Sequence, residues 1–299
     1  MLNVRRGMKR FALCLALLLF AGACGGGGDD DPNFFAVDFA NDAFVMVGGD
    51  YAIANSADGE VFLLQAINCC GFLETVAFGD GLWFTAGSDG VVLTSTDTAN
   101  WFVQFLNTGR TLRGAAYGKG TYVLVGEDGI AFSSSNAGAW ADEDSGTNDT
   151  LEDVVFGLDR FVAVGDDGAV VTSDDGRIWD IQSSGTSADL LAVTRGVARF
   201  VTVGRDGIVM SSLNGVDWQF EQSPVTDDLE DVTYALSVGL FVAVGHHGAI
   251  ITSPDGLDWT ERDSGTSRKL YGVAFGQDLF VAVGENAVIR NSGDGVEWF

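Results

Sequence analysis

The chain has 299 residues and a formal net charge of −26 at pH 7, from 42 acidic and 16 basic residues. A surface this acidic repels nucleic acid and anionic lipid head groups, which excludes both as expected partners and leaves basic proteins, cations and neutral glycans. The 41 glycines and only three prolines favour a fold with many tight turns.

Residues 1–23 predict an export signal. Four basic residues precede a short apolar run, FALCLALLLFA, which ends at Ala21. The run is shorter than the roughly 20 apolar residues that cross a bilayer as a helix. The segment AGAC that follows resembles the lipobox of bacterial lipoproteins, with alanine where leucine is usual. The resemblance implies cleavage before Cys24 and lipidation of its thiol; the alternative is a secretory signal with an incidental cysteine.

Residues 24–32 are predicted to be a flexible tether, because the sequence GGGGDDDP has no means of folding. The residue after Cys24 is a glycine rather than an aspartate, and in a host with two membranes lipoproteins of this kind go mostly to the outer one. We therefore expect an exported protein that is lipid-anchored to the bacterial cell envelope, in the outer membrane where there is one. Removal of residues 1–23 leaves 12 basic against 42 acidic residues, a net charge of −30.

Two adjacent cysteines, Cys69 and Cys70, remain besides Cys14 of the signal and the proposed anchor. An exported protein meets an oxidising compartment, so we expect this pair to be oxidised, either as a strained vicinal disulfide or between molecules. A two-cysteine metal site is disfavoured because no histidine is nearby in the sequence.

Residues 33–299 repeat one pattern seven times. The stretch FVAVGDDGAVVTSDDGRIW, from Phe161 to Trp179, recurs at a step of 39 residues, with one step of 41 between the fifth and sixth copies. Each copy holds four short apolar runs separated by turn signals, and none has helical periodicity. Four strands in about 40 residues are typical of a propeller blade. The sequence predicts an all-β, seven-bladed β-propeller with four-stranded antiparallel blades, and a β-solenoid is the main alternative.

The seventh copy is incomplete. The first copy starts at its innermost strand near Phe34, and the sequence stops one residue after Trp298. The outermost strand of the seventh blade is therefore expected to be a stub, which the glycines and aspartates of the tether cannot supply. Two outcomes stay open: a last blade of three strands and a remnant, or a loosely closed ring.

Each copy carries the run S-x-D-G-x-x-W, or a variant of it, between its third and fourth strands. This run resembles the Asp-box of sialidase-type propellers, shortened by one residue, which also occurs in photosystem II assembly factor propellers and uncharacterised bacterial lipoproteins. The resemblance implies a structural role: the aspartate satisfies N–H groups of its own turn and the tryptophan packs between sheets. The residues concerned are Ser56, Asp58, Ser95, Asp97, Trp101, Ser134, Trp140, Ser173, Asp175, Trp179, Ser212, Trp218, Ser253, Asp255, Trp259, Ser292, Asp294 and Trp298, with Asn136 and Asn214 as variants.

The copies differ most on the opposite rim, where the hairpins between second and third strands meet the connections between blades. This rim is the usual binding face of propellers. The candidate partner-binding residues on it are Asp50, Asp89, Asp128, Asp167, Asp206, His246, His247, Glu285, Arg110 and Arg113. Arg110 and Arg113 would either receive a carboxylate of a partner or be solvated loop charges.

The only two histidines of the chain, His246 and His247, interrupt the row of carboxylates on this rim. Three interpretations stay open: a divalent transition-metal site, a partner contact, or a turn that accepts any polar pair. We predict no bound metal and name the two histidines as the candidate ligands if there is one. The two-residue insertion, in YALSVGL on the Asp-box rim, is either a contact loop or a better-packed turn.

Sialidase chemistry would require an arginine triad, a tyrosine–glutamate nucleophile pair and an acid, and the segment from Phe34 to Phe62 has no arginine. No nucleophile motif, phosphate loop or HExxH is present. The photosystem II assembly resemblance implies instead a ring that holds a partner, although its arginine patch is not matched. The sequence predicts a monomeric, non-enzymatic protein-binding or complex-assembly module without cofactors. The alternative is a glycan-directed hydrolase or lectin.

Overall fold

The structure, a computed structural model, describes residues 17–20, 32–65 and 71–299, the first of these segments as backbone only. Cys24, most of the predicted tether and the pair Cys69–Cys70 lie outside the described residues. Within the described ranges there is no helix of the length and apolarity that a membrane span requires.

The described residues form 28 strands, numbered here in chain order. They are β1 (Leu17–Phe20), β2 (Phe34–Ala40), β3 (Ala43–Gly48), β4 (Ile53–Ser56), β5 (Val61–Gln65), β6 (Leu73–Gly79), β7 (Leu82–Gly87), β8 (Val91–Ser95), β9 (Phe102–Phe105), β10 (Leu112–Gly118), β11 (Thr121–Gly126), β12 (Ile130–Ser134), β13 (Ala141–Asp144), β14 (Leu151–Gly157), β15 (Arg160–Gly165), β16 (Ala169–Ser173), β17 (Asp180–Ser183), β18 (Leu190–Arg195), β19 (Phe200–Gly204), β20 (Val209–Ser212), β21 (Trp218–Phe220), β22 (Leu229–Ala235), β23 (Leu240–Gly245), β24 (Ile250–Ser253), β25 (Thr260–Arg262), β26 (Leu270–Gly276), β27 (Leu279–Gly284) and β28 (Ile289–Ser292).

Strands β2 to β28 form seven antiparallel sheets, each built from neighbours in sequence. Blade 1 contains β2–β5, blades 2 to 6 follow with four strands each, and blade 7 contains β26–β28. The predicted seven-bladed propeller with a shortened last blade is therefore confirmed. Blade 1 has one addition that the sequence did not predict: β1, from the segment interpreted as an export signal, pairs in parallel with β5 on its outer edge.

The core lies between neighbouring blades, because a single sheet of this length cannot bury both of its faces alone. The second strand of each blade is almost fully buried; in blade 4 this is the run Phe161–Val164. Apolar clusters unite adjacent blades around the ring, and one of them joins Phe34 and Phe44 of blade 1 to Val281 and Val283 of blade 7. Burying one large apolar side chain contributes about 1.5–3 kcal/mol to the stability of the fold. Because this burial occurs between blades, the contribution depends on a closed ring.

The ring is closed by contacts between blade 7 and blade 1. The backbone N–H of Ala287 donates to the carbonyl oxygen of Pro32 at 3.0 Å. Asn291 donates from Nδ2 to the carbonyl oxygen of Gly59 at 3.1 Å. Phe299 exchanges two backbone hydrogen bonds with Asn291, at 3.0 and 3.1 Å, in the place of a fourth strand. The last blade thus consists of three strands and a remnant, the first of the two outcomes left open by the sequence.

Candidate functional site

The hairpins between second and third strands lie on one rim of the ring, called here the top rim, together with the connections between blades. Each hairpin holds a residue with left-handed backbone geometry, such as Asp167 with φ 53° and His247 with φ 54°. Aspartate, asparagine and histidine tolerate this geometry better than most side chains, and glycine usually follows. The residues at this position are Asp50, Asp89, Asp128, Asp167, Asp206, His247 and Asn286. Turn geometry alone therefore accounts for the sevenfold polar row.

Arg110 and Arg113 of the top rim are already paired with carboxylates of this chain. Arg110 Nε lies 2.8 Å from Asp128 Oδ2. Arg113 lies 3.5 Å from Glu127 and 3.4 Å from Glu152. A partner's carboxylate would have to displace these internal partners, so the geometry does not favour Arg110 and Arg113 as an open anion-binding site.

The two histidines point to different partners. Their ring centroids are 6.3 Å apart and the ring planes are at 89°. His247 Nδ1 lies 2.7 Å from Asp227 Oδ1, whereas His246 Nε2 lies 2.9 Å from Glu230 Oε1. They do not converge on a shared position, and within the described chain they do not form the two-histidine site considered from sequence.

A different group of three, Asp228, Glu230 and His246, brings its ligand atoms within 4.8 Å of one another. Two cations of the chain already lie at this group: Lys269 Nζ is 2.9 Å from Glu230 Oε1, and Arg205 is 3.3 Å from Asp228 Oδ2. A metal ion would have to compete with both, which disfavours the group as a metal site.

The innermost strands surround a polar central channel with a cavity of about 260 Å³. The second residue of each inner strand faces this channel near the top rim, because each of these strands begins at that rim. The seven residues are Phe35, Glu74, Arg113, Glu152, Leu191, Glu230 and Tyr271. Three carboxylates from alternate blades thus line the mouth of the channel.

Three aspartates lie deeper in the channel. Asp153 accepts hydrogen bonds from the N–H of Val154 at 2.7 Å and of Val193 in the next blade at 2.8 Å. Asp231 in blade 6 makes the same pair of bonds within its strand and to blade 7. The third is Asp38 of blade 1, which accepts the N–H of Phe39. The carboxylates of Asp153 and Asp231 therefore connect neighbouring inner strands.

The pKa values of the channel acids are raised, chiefly because burial disfavours their charged forms. Burial raises the pKa of Asp153 to about 8, against the opposing effect of its backbone hydrogen bonds. It raises the pKa of Asp231 to about 7 and that of Asp38 to about 6. The pKa of Glu152 also rises to about 7, although Arg113 beside it acts in the opposite direction. At neutral pH the channel therefore holds fewer charges than its composition suggests.

The mouth of the channel is chemically uneven. On the side of blades 7, 1 and 2, Phe35 makes an edge contact with Tyr271 at 5.4 Å between centroids and lies 6.0 Å from Phe72. Phe72 is 50% exposed. Lys269 Nζ lies 4.5 Å from the centroid of Tyr271. The ion pairs of Arg113 and Arg205 lie on blades 3 to 6, so apolar and acidic surfaces meet at one opening.

The Asp-box turns lie on the other rim and use their polar atoms internally. Asp175 Oδ1 accepts the backbone N–H groups of Arg177 at 2.9 Å and Ile178 at 3.1 Å. These hydrogen bonds hold the pKa of Asp175 below its usual value. The equivalent oxygens of Asp58, Asp97, Asn136, Asn214, Asp255 and Asp294 accept the same two N–H groups. Trp179, Trp259 and Trp298 are buried next to them.

Solved structures of other propellers superpose on this ring. YCF48 bound to D1 peptide matches with a TM-score of 0.70 and 17% identity, over 88% of this chain and 94% of that one. YCF48 from Cyanidioschyzon merolae matches with a TM-score of 0.68 and 18% identity, over 88% and 96%. The WD40 β-propeller domain of Doa1 matches with a TM-score of 0.69 and 14% identity, over 89% and 93%.

The shared feature is the fold. This chain is a seven-bladed β-propeller. Neither a protein-family model nor a curated protein matches the chain, so the Asp-box resemblance rests on the motif and its turn geometry. The channel acids were missed by sequence reasoning. Their only signal is that Asp153 and Asp231 stand where other inner strands have alanine, threonine or glycine.

Proposed function

We propose that the protein is a non-enzymatic binding module that holds a partner protein at the channel mouth on the top rim. The observation that carries this proposal is the half-exposed Phe72, next to Phe35 and Tyr271, at an opening lined by Glu74, Glu152 and Glu230. Aromatic side chains supply most of the binding energy in protein interfaces, and complementary charge supplies orientation and specificity. The expected partner segment carries an apolar anchor and basic side chains.

The similar fold of YCF48, which has been solved bound to D1 peptide, supports the proposal that a ring of this shape can hold a peptide.

We also propose that the protein is exported and lipid-anchored to the envelope through Cys24. Pro32 hydrogen-bonds to blade 7 at the top rim, so a tether of residues 24–31 would start there. Eight extended residues reach at most about 28 Å, which would keep the channel mouth close to the membrane.

The partner is tested by affinity purification from solubilised envelope with three forms of the lipidated protein: wild type, Phe72→Ser and Phe102→Ser. Phe102 is the matched control because it is 72% exposed on β9, the outer strand of the same blade, and unlike Phe72 it is not packed on Phe35. We expect one stoichiometric partner with the wild type and Phe102→Ser and its loss with Phe72→Ser. Equal recovery with all three, or no stoichiometric partner, contradicts the proposal.

The anchor is tested separately by Cys24→Ser. The expected result is a shift of the protein from the envelope fraction to the soluble fraction, with loss of the lipid mass from its N-terminal peptide. If Cys24→Ser stays in the envelope with an unchanged N-terminal mass, the proposed anchor is wrong while the propeller and its binding face are unaffected.

A glycan-directed hydrolase is the second candidate, and one observation favours it. Glu152 at the channel mouth has a pKa of about 7, the range of a general acid, and Glu74 beside the same opening has a raised pKa as well. Turnover on a panel of glycans, lost in Glu152→Gln, would establish this activity in place of the binding function.

A further inference from the structure

The repeat is broken on the Asp-box rim of blade 6. The turn between β22 and β23 comprises residues 236–239, whereas the equivalent turn of blade 7 comprises only residues 277 and 278. A hydrogen bond from the N–H of Gly239 to the carbonyl oxygen of Ala235, at 2.7 Å, closes the longer turn. Leu236 is 73% exposed and Val238 is 43% exposed. The insertion thus adds apolar surface instead of packing into the core, which excludes the better-packed turn as its explanation.

The inserted turn forms one wall of a groove at the lower end of the channel. The cavity measures about 520 Å³ and lies between the inner strands of blades 6, 7 and 1. Its lining residues are Phe39, Tyr234, Leu236, Ser237, Phe275, Gly276, Gln277 and Asp278. The lining is mainly apolar and contains three aromatic rings from three different blades.

The three rings are held in place by the fold. Each packs on the aromatic residue that opens the second strand of its own blade, with centroid distances of 4.6 Å for Phe39 on Phe44, 4.5 Å for Tyr234 on Phe241 and 4.5 Å for Phe275 on Phe280. Rings that are already fixed lose little conformational entropy when a ligand docks on them. The groove is therefore preorganised.

The charge of the groove indicates what it would accept. Its lining contains one carboxylate, Asp278, and no cation. The corresponding turns of blades 1 and 2 carry Asp42 and Asp80, whereas the arginines of this rim, among them Arg177 and Arg195, belong to blades 4 and 5. Aromatic faces attract cations, and a nearby carboxylate adds to this attraction.

We propose that this groove is a second docking site, for a peptide segment of a partner that combines an apolar side chain with a basic one. The apolar side chain contacts Leu236 and the rings, and the basic group lies near Asp278. The site is at the opposite end of the inner strands from the top-rim mouth, so the two can be occupied at the same time and fail independently. Its charge disfavours anionic lipid as the occupant.

The test uses fluorescent octapeptides of defined composition and anisotropy titrations in physiological salt with the full chain carrying Phe72→Ser, so that the top-rim mouth does not contribute to binding. One peptide alternates leucine and lysine, a second replaces leucine with glutamine, and a third replaces lysine with glutamate. We expect the leucine–lysine peptide to bind with a Kd below about 100 µM and the other two at least tenfold more weakly. Leu236→Ser weakens binding of the first peptide about tenfold, and Asp278→Asn, which keeps a residue suited to positive φ, weakens it several-fold.

The matched control is Leu213→Ser, because Leu213 is 65% exposed on the same rim but outside the groove. Equal weakening by Leu213→Ser and Leu236→Ser, equal binding of the glutamine peptide, or no binding of the leucine–lysine peptide overturns the proposal. The proposal is also overturned if the protein sediments with phosphatidylcholine–phosphatidylglycerol vesicles and Leu236→Ser abolishes this sedimentation. It is likewise overturned if the protein dimerises in velocity sedimentation and Leu236→Ser abolishes the dimer. Leu236→Gln, which removes the apolar character but keeps the side-chain size, replaces Leu236→Ser if the latter lowers the melting temperature.

Discussion

Aspartate occurs in three settings in this propeller, and its surroundings determine what it does in each. In the Asp-box turns it accepts backbone N–H groups, and its pKa is lowered, as in Asp175 and Asp255. In the top-rim hairpins it occupies left-handed backbone positions, as Asp167 does. In the channel, burial raises its pKa, as in Asp153. The same side chain therefore accepts backbone hydrogen bonds in the Asp-box turns, suits a left-handed backbone position in the hairpins, and binds a proton in the channel.

Asp175→Ala tests the Asp-box role. The change leaves two backbone N–H groups of a tight turn without their acceptor, and we expect a loss of about 1 kcal/mol in the free energy of unfolding at pH 7, measured with urea. Because the folded-state pKa is lowered, this contribution is present above the ordinary pKa and is lost as the pH falls through the folded value. The control Asp174→Ala, at the exposed neighbour, should change stability by less than about 0.5 kcal/mol. Equal effects of the two would contradict the assigned role.

Asp153→Asn tests the channel. A folded-state pKa of about 8 means that the folded protein holds a proton that the unfolded chain releases near pH 4. The stabilising contribution of this carboxyl is then fully present below about pH 4 and declines, by up to about 1.4 kcal/mol per pH unit for each such group, as the pH rises through that window. Asp153→Asn should flatten the decline between pH 5 and 8 in urea unfolding experiments.

The groups that face Asp153 include Asp231 and Glu152, which contribute to the same slope. The matched control is Asp206→Asn, an exposed top-rim residue at a position suited to asparagine. A wild-type stability that is flat from pH 5 to 8, or an equally steep decline in Asp153→Asn, would contradict the assignment.

At the scale of the strand, the glycine that ends the second strand of every blade is explained by close approach of two backbones. A Cβ on Gly165 would lie 1.9 Å from the carbonyl oxygen of Thr150, and the same contact recurs at 1.9–2.1 Å for Gly48, Gly87, Gly126, Gly204, Gly245 and Gly284. The φ angles before the hairpins are near 180°, so backbone strain is not the cause. These positions require glycine because there is no room for a Cβ atom.

Gly165→Ala should therefore cost several kcal/mol, since the clash is with backbone that cannot move without breaking the pairing of β14 with β15. Gly138→Ala is the control: it has ordinary φ, and the nearest atom to its added Cβ would be 3.5 Å away. We expect no more than about 0.5 kcal/mol from the control in thermal or urea unfolding. A mild effect of Gly165→Ala would show that this close approach is not required.

The repeating elements could be predicted because the same physical requirement recurs in each copy. Strand alternation, turn glycines and the turn aspartates appear up to seven times, so their period identifies the blade and its boundaries. The functional features are single departures and carry no such signal. Asp153 and Asp231 come close to each other only when the inner strands converge. Nothing in YALSVGL reveals that Leu236 stays exposed beside rings from two other blades. Likewise, Arg110 and Arg113 could not be recognised as internally paired before the hairpins were placed.

At the scale of the molecule, blades that are far apart in sequence depend on one another through the closure. Blade 7 has no complete fourth strand, so blades 7 and 1 are held by the shared apolar cluster and by a few polar contacts. Asn286 donates its N–H to Asn33 Oδ1 at 2.9 Å, and Asn291 donates to the carbonyl oxygen of Gly59. The side chain of Asn291 is buried. Asn55, at the equivalent position of blade 1, donates to the carbonyl oxygen of Thr98 in blade 2.

Asn291→Ala should destabilise the ring by about 1–3 kcal/mol, because it removes a buried hydrogen bond and leaves a carbonyl oxygen of blade 1 without its donor. Since a ring loses interblade burial on opening, we expect hydrogen exchange to accelerate in both blade 7 and blade 1, although more than 200 residues separate them in the chain. Asn148→Ala, in an exposed blade connection, is the control and should change neither stability nor exchange. Acceleration confined to blade 7 would mean that blade 1 is stable without the closure, and that the ring is less cooperative than its shared core implies.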